Sequence, residues 1–329
     1  MPSTASATSA ERAPTDPPAI SVFAPNPLLT VAIEREGADR DSVHFHAGGQ
    51  GVWAAQMALT MGAAPLLCGF IGGEAGQLLG PLLEKAIAPA HLHLVRTDGA
   101  SGCYVVDCRS GRREVLAMRF SEPPSRHELD ELFSLTCAQA LACGWLLVTN
   151  PFPGDALPLE LYGDLVADAQ SGGCRTLVDL SVPRLDSALA GEPDLVKLND
   201  WELAEYVRGP VSTPQLLLAS ARRLREAGAR RVLVTRGELP ALVLDGEETS
   251  ALTPPRFERG FREGCGDSMM GALAAAWAGA QSFERALILG AAAGAANFLR
   301  HGLGHASREV VEELAAAVKL EPWSSLPEC

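Results

Sequence analysis

From residue 19 onward, short apolar runs alternate with amphipathic stretches, and this order sets the first expectation about the fold. ISVFA ends at Asn26-Pro27, and LLTVAIE and VHFHA then alternate apolar and polar positions with β-branched residues, as half-buried strands do. The glycine run Gly48-Gly49-Gln50-Gly51 leads into VWAAQMALTMG, which has helical spacing. APLLCGFIGG reads as a buried strand entering a glycine turn, and AGQLLGPLLEKAI as the helix after it. SGCYVVDC and REVLAMRF read as a hairpin turning at Ser110-Gly111. Beyond residue 126, helical segments alternate with the strands WLLVTN, RTLVDLS, DLVKLN and RRVLVTRG. PALVLDG and EETSALTPP read as an antiparallel pair, and three helices close the chain.

Apolar strands alternating with helices predict a mostly parallel sheet covered on both faces, an α/β architecture. The strands at about 28–46 and 100–120 alternate in polarity and lack crossover helices, so they predict a small second sheet standing off the main body. The expected organisation is a disordered tail at 1–18, rich in Ser, Thr, Ala and Pro, one domain over 19–320, and a C-terminal tail at 321–329.

With 329 residues and 47% hydrophobic content, the chain can bury one large core. A formal net charge of -13 opposes nucleic acid and anionic membranes as partners. The Ala/Gly-rich stretch near the C-terminus is interrupted by Glu284 and Arg285, which fits buried helices better than a membrane span. The 8 cysteines form no CxxC pair and read as small buried thiols in a reducing cytoplasm.

Chemistry is concentrated in three places. Gly264-Cys265-Gly266-Asp267-Ser268 opens a long helix. The first amides of a helix lack intrahelical acceptors and suit an anion. A carboxylate beside such an anion hole is what phosphoryl transfer to a hydroxyl needs. An Asp after a glycine turn is equally an ordinary helix start. Asn199-Asp200-Trp201-Glu202 follows the strand DLVKL, where a doubly wound sheet presents ligand groups. Asn199 and Glu202 can support a water-rich Mg²⁺ there, or form a capping box. The Gly48–Gly51 run is a turn or a close approach to a polyol or phosphate. No GxxxxGK[ST] or GxGxxG occurs, which excludes a P-loop and a dinucleotide fingerprint. His44-x-His46 and His91-x-His93 each place two imidazoles on one strand face, without a third ligand at metal-site spacing.

These residues, in this order, resemble the ribokinase-like (PfkB) family over nearly the whole chain, most closely its 1-phosphofructokinase and tagatose-6-phosphate kinase branch. FHAGGQGVWAAQMALTMGAAPLLCGFIGG, DLVKLNDWEL, VLVTRGELPALVLDG and GCGDSMMGALAAAW carry the likeness. The resemblance implies a three-layer α/β/α sandwich with a small β-sheet lid. It also implies a kinase that moves the ATP γ-phosphate to a hydroxyl of a sugar, sugar phosphate or related small molecule. Asp267 would be the base, and Gly264, Cys265 and Gly266 the anion hole. Asn199 and Glu202 would support Mg²⁺ and the ATP phosphates, Thr235 and Gly237 would line the nucleotide site, and Asn297 would lie near the adenine. Asn26, Thr30, Gly48, Gly49, Gln50, Trp53 and Tyr104 would face the acceptor, and a homodimer would form through the lid.

The acceptor positions depart from that branch. Thr30 stands where it has an Asp, Gln50 where it has the Lys of GGKG, and Trp53 where it has an Asn. Its TRxN pattern appears as Ser101-Gly102-Cys103-Tyr104, without the Arg. Losing a Lys and an Arg removes contacts worth about 1.5–3 kcal/mol each unless Arg112, Arg113 or Arg119 takes over. The expectation is an intact ATP half and a rebuilt acceptor half, with Trp53 and Tyr104 able to stack on an acceptor such as a nucleoside. A non-catalytic relative that binds a nucleotide or metabolite is the alternative.

Overall fold

The computed structural model describes residues 16–37, 40–88, 91–111, 113–151, 157–299 and 306–325. The central layer is a ten-stranded sheet. Its parallel part runs in the spatial order β5 (Leu92–Thr97), β4 (Ala64–Gly72), β1 (Ala19–Phe23), β8 (Trp145–Thr149), β9 (Arg175–Asp179), β10 (Leu195–Asn199), β11 (Arg231–Arg236). Three antiparallel strands extend it: β12 (Leu239–Asp245), β13 (Glu248–Thr253) and β14 (Lys319–Pro322).

Alternation of side chains along each strand feeds two separate cores. Ile20, Val22, Leu147, Leu177 and Leu233 enter the core beneath α1 (Gln50–Thr60), α2 (Gly73–Ile87), α8 (Cys265–Ala278), α9 (Phe283–Phe298) and α10 (Arg308–Ala315). Phe23, Val148, Val178, Val196 and Val234 enter the core beneath α3 (Arg126–Cys143), α4 (Glu160–Ser171), α5 (Arg184–Leu189), α6 (Asp200–Val207) and α7 (Pro214–Glu226). The chain is therefore the expected α/β/α sandwich. Both strand faces are covered, so the strands read as continuous apolar runs.

The second sheet has the order β3 (Arg40–Gly48), β2 (Leu28–Glu36), β6 (Cys103–Asp107), β7 (Glu114–Arg119). β2 pairs antiparallel with β3 and parallel with β6, and β6–β7 is the expected hairpin. Leu28, Ala32, Tyr104 and Val106 form a small core of its own on one face. The opposite face leaves Val43 56% and Phe45 51% exposed.

Two elements were not legible from polarity. The short α5 lies in a stretch without a clear period, and β14 runs into the stretch where a tail was expected. Residues 319–322 pair with β13, and Trp323 is only 7% exposed against the α3–α7 core, so the ordered chain runs past 320. A four-residue edge strand containing Lys319 and Pro322 carries no alternation that could announce it. At the other end, residues 1–15 of the expected tail lie outside the described residues, and the Pro18 carbonyl already accepts from the Ala64 amide (2.8 Å).

The alanine and glycine content of α8 serves close helix contact. A methyl group at Gly271 would sit 2.1 Å from the Ala54 carbonyl oxygen of α1, a backbone atom that cannot swing away. Gly271→Ala is accordingly expected to cost about 1–3 kcal/mol, read as a lower urea midpoint with unchanged slope.

Candidate functional site

The parallel strands β9 and β10 end near the first turn of α8, and each carries a charged residue at or close to its end. Asp179 closes β9, Lys197 lies two residues before the end of β10, and both are buried. The Lys197 ammonium donates to Asp179 Oδ2 at 2.8 Å. Gly264 is the N-cap of α8 in the left-handed region (φ 75°), and Cys265, Gly266 and Asp267 form the first turn. A methyl group at Gly266 would lie 2.7 Å from Lys197 Nζ, so any side chain there would push the ammonium away from the helix start.

Asp267 is 8% exposed and lies within electrostatic reach of Lys197, Asp179 and Glu202. Burial, helped by Asp179 and Glu202 and opposed by Lys197, pushes its carboxyl up to about 8. Glu202 is also raised, by burial and then by Asp179. Burial works against the Lys197 charge, but Asp179, Glu202 and Asp267 together hold its pKa above the ordinary lysine value. Three acids thus lie within electrostatic reach of one cation, and burial favours keeping a proton on the acids.

Asn199 and Glu202 do form a capping box at the start of α6. Asn199 Oδ1 accepts from the Glu202 amide (2.9 Å), and Glu202 Oε2 from the Asn199 amide (2.8 Å). With this box formed, the Glu202 carboxylate is still within electrostatic reach of Asp267 and Lys197. Thr235 is the Cα partner of Asn199 across β10–β11, its hydroxyl donating to the Leu198 carbonyl (3.4 Å), and Gly237 turns the chain just beyond (φ 63°).

Asn297 departs from its expected surroundings. It is fully buried, and its amide donates to the Glu263 carbonyl (2.8 Å) and to Cys265 Sγ (3.6 Å), pinning the turn before α8 from behind. The Cys265 amide donates to the Arg262 carbonyl (3.3 Å) and is taken up by the turn. Among the described residues the amides of Gly264, Gly266 and Asp267 carry no such bond.

On the lid side, Thr30, Gly48 and Trp53 come together: a methyl at Gly48 would lie 2.7 Å from Thr30 Oγ1 and 3.5 Å from the Trp53 ring. Thr30 is 3% exposed, and its hydroxyl and the Gln50 Oε1 atom are buried without a hydrogen-bond partner among the described residues. Gly49 (φ 109°) packs on the Asn26 carbonyl, while the Asn26 amide donates to the Pro151 carbonyl (3.2 Å). A small depression at the lid base is lined by Asn26, Phe70, Thr97, Ser101, Ser121 and Glu122. Tyr104 belongs to the lid core, so its ring is not an open stacking platform.

The match to the pfkB family carbohydrate kinases spans residues 28–309. The chain belongs to this family. It is 29% identical over 275 residues to the ATP-dependent 6-phosphofructokinase isozyme 2 of Escherichia coli, covering 83% of this chain and 88% of that one. It is 27% identical over 265 residues to a 1-phosphofructokinase of Xanthomonas campestris, covering 76% and 81%. The crystal structure of Escherichia coli phosphofructokinase-2 in complex with potassium superposes with a TM-score of 0.80 at 28% identity, covering 91% of this chain and 98% of that chain. This pfkB-family protein is thus a carbohydrate kinase, a phosphotransferase with an alcohol group as acceptor.

For this kinase, Asp179 and Lys197 are the site members that motif reading passed over. Their signal is a charge inside an otherwise apolar parallel strand, in RTLVD and LVKLN. Of the three arginines considered as replacements on the acceptor side, Arg119 is tied to Glu122 (2.7 Å), Arg112 lies outside the described residues, and Arg113 is within electrostatic reach of Tyr104. No disulfide joins the described cysteines, and no described helix is long and apolar enough to cross a membrane.

A raised folded-state pKa on an acid means that folding takes up a proton between about pH 4 and pH 8, so Asp267 costs more stability as pH rises. Asp267→Asn removes that uptake. Urea unfolding is expected to show its stability relative to wild type growing by at least ~1 kcal/mol from pH 5 to pH 8.

Proposed function

We propose that the kinase is ATP-dependent and that Asp267 removes the proton of the acceptor hydroxyl. The observation that carries this reading is a carboxyl with its pKa pushed up to about 8, at the first turn of a helix whose neighbouring amides are unspent. A general base works best with a pKa near the operating pH. As the proton moves to Asp267, the acceptor oxygen bonds to the γ-phosphorus, and the bond from phosphorus to the leaving ADP oxygen breaks. The amides of Gly264 and Gly266, at the positive end of α8, face the charge that develops on the phosphoryl oxygens. Lys197 adds a cation at the same place.

The donor set fits a Mg²⁺. Asp179 Oδ1 and Glu202 Oε1 are hard oxygen atoms that the Lys197 bond and the capping box do not use. Among the described residues no three His, Cys, Asp or Glu side chains could hold a metal ion, so water and phosphate oxygens would complete its shell. When bound, the ion supplies neutralising charge to the phosphate chain. Thr235 and Gly237 line the nucleotide side of this reading, and Asn297 supports it by pinning the turn rather than by meeting the adenine.

The acceptor would sit between the α1 start and the lid. The orphan Thr30 hydroxyl and Gln50 carbonyl are groups whose burial is repaid once an acceptor hydroxyl bonds to them. A non-catalytic role is the less favoured reading for a chain that keeps the charged cluster and the family relationship together. Asp267→Asn is expected to lower kcat for transfer from ATP by about 10²–10⁴. Wild-type kcat/KM should rise with pH toward an apparent pKa near 8 for the acid cluster. A variant as active as wild type sinks the assignment of the base.

The partner reading is a homodimer through the lid. Val31, Ile33, Val43, Phe45 and Val105 lie on one face in register, and Val43 and Phe45 are more than half exposed. Phe45→Lys with Val43→Lys is expected to convert dimer to monomer in light scattering.

A further inference from the structure

Resting on the kinase reading above, we propose that the acceptor is an uncharged polyhydroxylated ring, one without a phosphate group, and that Gln50 and Trp53 set this preference. Two buried polar atoms define what must meet them. Gln50 Oε1 can only accept a hydrogen bond, and it is buried with no donor among the described residues. The Thr30 hydroxyl is in the same condition, on a residue that is itself buried. The lid base brings these groups to one corner. Gly48 lies against both the Thr30 hydroxyl and the Trp53 ring, and Gln50 opens α1 two residues later. A sugar hydroxyl gives the Gln50 carbonyl the proton it lacks. A phosphate dianion carries only acceptor oxygens, so facing this carbonyl it would leave both sides unmet. The half-buried Trp53 ring beside them suits the apolar face of a sugar or base.

The charges on this side are already committed to partners. The chain has three lysines, Lys85, Lys197 and Lys319, which lie in α2, β10 and β14 and not in the lid. Arg35 pairs with Asp41 (3.3 Å), Arg40 with Glu36, Arg109 with Asp107 (2.6 Å) and Arg119 with Glu122 (2.7 Å). Arg113 acts on Tyr104 and on Cys108, and Glu34, Asp107 and Glu263 act on Cys108 as well. The depression at the lid base offers neutral Asn26, Thr97, Ser101 and Ser121, together with the carboxylate of Glu122. Arg96, next to Thr97, falls on the other face of β5 by strand alternation. A dianion brought here would lie against Glu122, break an existing ion pair or share Arg113 with its acids, and a neutral ring does none of these.

Two measurements on the full chain test this. The first needs no turnover. With a non-hydrolysable ATP analogue bound, calorimetric titrations compare fructose, tagatose, ribose and adenosine, each against its own monophosphates. Tighter binding of the uncharged member of a pair supports the proposal, and adenosine separates a nucleoside from a free sugar. Tighter binding of the phosphorylated members, or no binding by either member of any pair, overturns it. The second compares kcat/KM with ATP within the same pairs. Gln50→Lys is expected to raise the phosphorylated-to-plain ratio roughly 10- to 100-fold. Trp53→Ala is expected to raise KM for the uncharged acceptor about 10-fold with kcat little changed, and Trp53→Phe to restore it. An unchanged ratio in Gln50→Lys together with an unchanged KM in Trp53→Ala overturns the assignment of these residues. If no acceptor of either kind is phosphorylated, the kinase reading fails, and the calorimetry still decides the charge preference.

Discussion

Three acids and one ammonium crowd together where β9 and β10 run out near the first turn of α8, and the rest of the molecule is arranged around that crowding. A buried ion pair such as Lys197–Asp179 stabilises little in itself, since desolvation offsets most of the attraction. Adding Asp267 and Glu202 makes the balance worse, because two more charges compete for the same cation. A fold that keeps such a cluster accepts a cost that packing alone would not select, and catalytic sites are where that cost returns a benefit. The raised Asp267 pKa, the unspent amides of Gly264 and Gly266 and the cation against Gly266 are three aspects of this one arrangement.

The surrounding architecture holds these charges still. Lys197 and Asp179 are carried by strands buried on both faces, which lack the freedom of loops. The α8 start is fixed from behind by Asn297 through Glu263, and from the side by the contact of Gly271 with α1. α1 in turn begins at the glycines that follow the lid strand β3, so the helix packed on the α8 start is continuous with the lid. The lid and the α8 start are joined through a packed helix pair, whose close approach depends on small residues.

How much of this was legible before coordinates follows from what periodicity and spacing can encode. The parallel core declares itself because strands buried on both faces must be apolar throughout. Asp267 declares itself because a carboxylate after Gly-Cys-Gly at a helix start has a local signature. The Asn199–Glu202 spacing is equally local, and the capping box it allows is formed. Lys197 and Asp179 carry no spacing signature, since they meet through adjacent strands 18 residues apart in sequence. Asn297 and the Glu263 carbonyl meet across 34 residues. The role of Asn297 behind the turn follows from how α9 packs on α8, and no pattern within α9 could have announced it. β14 is a similar case: its partner is chosen by the free edge of β13, not by its own side chains.

The lid shows the same limit in a more consequential form. Read along the chain, the missing Lys and Arg suggest a weakened acceptor site, and Trp53 with Tyr104 suggests stacking. Read across the strands, Tyr104 is buried in the lid core while His46 and Thr30 stand beside it, one exposed and one with an unmet hydroxyl. Cross-strand neighbours are set by register, and register depends on the turn and bulge geometry of the whole lid rather than on any short motif. What faces a lost charge is set a strand away and leaves no trace in motif spacing. Substrate preference in such a site is therefore a property of rows across the sheet, whereas the phosphate chemistry, built on one helix start and two strand ends, remains a property of motifs along the chain.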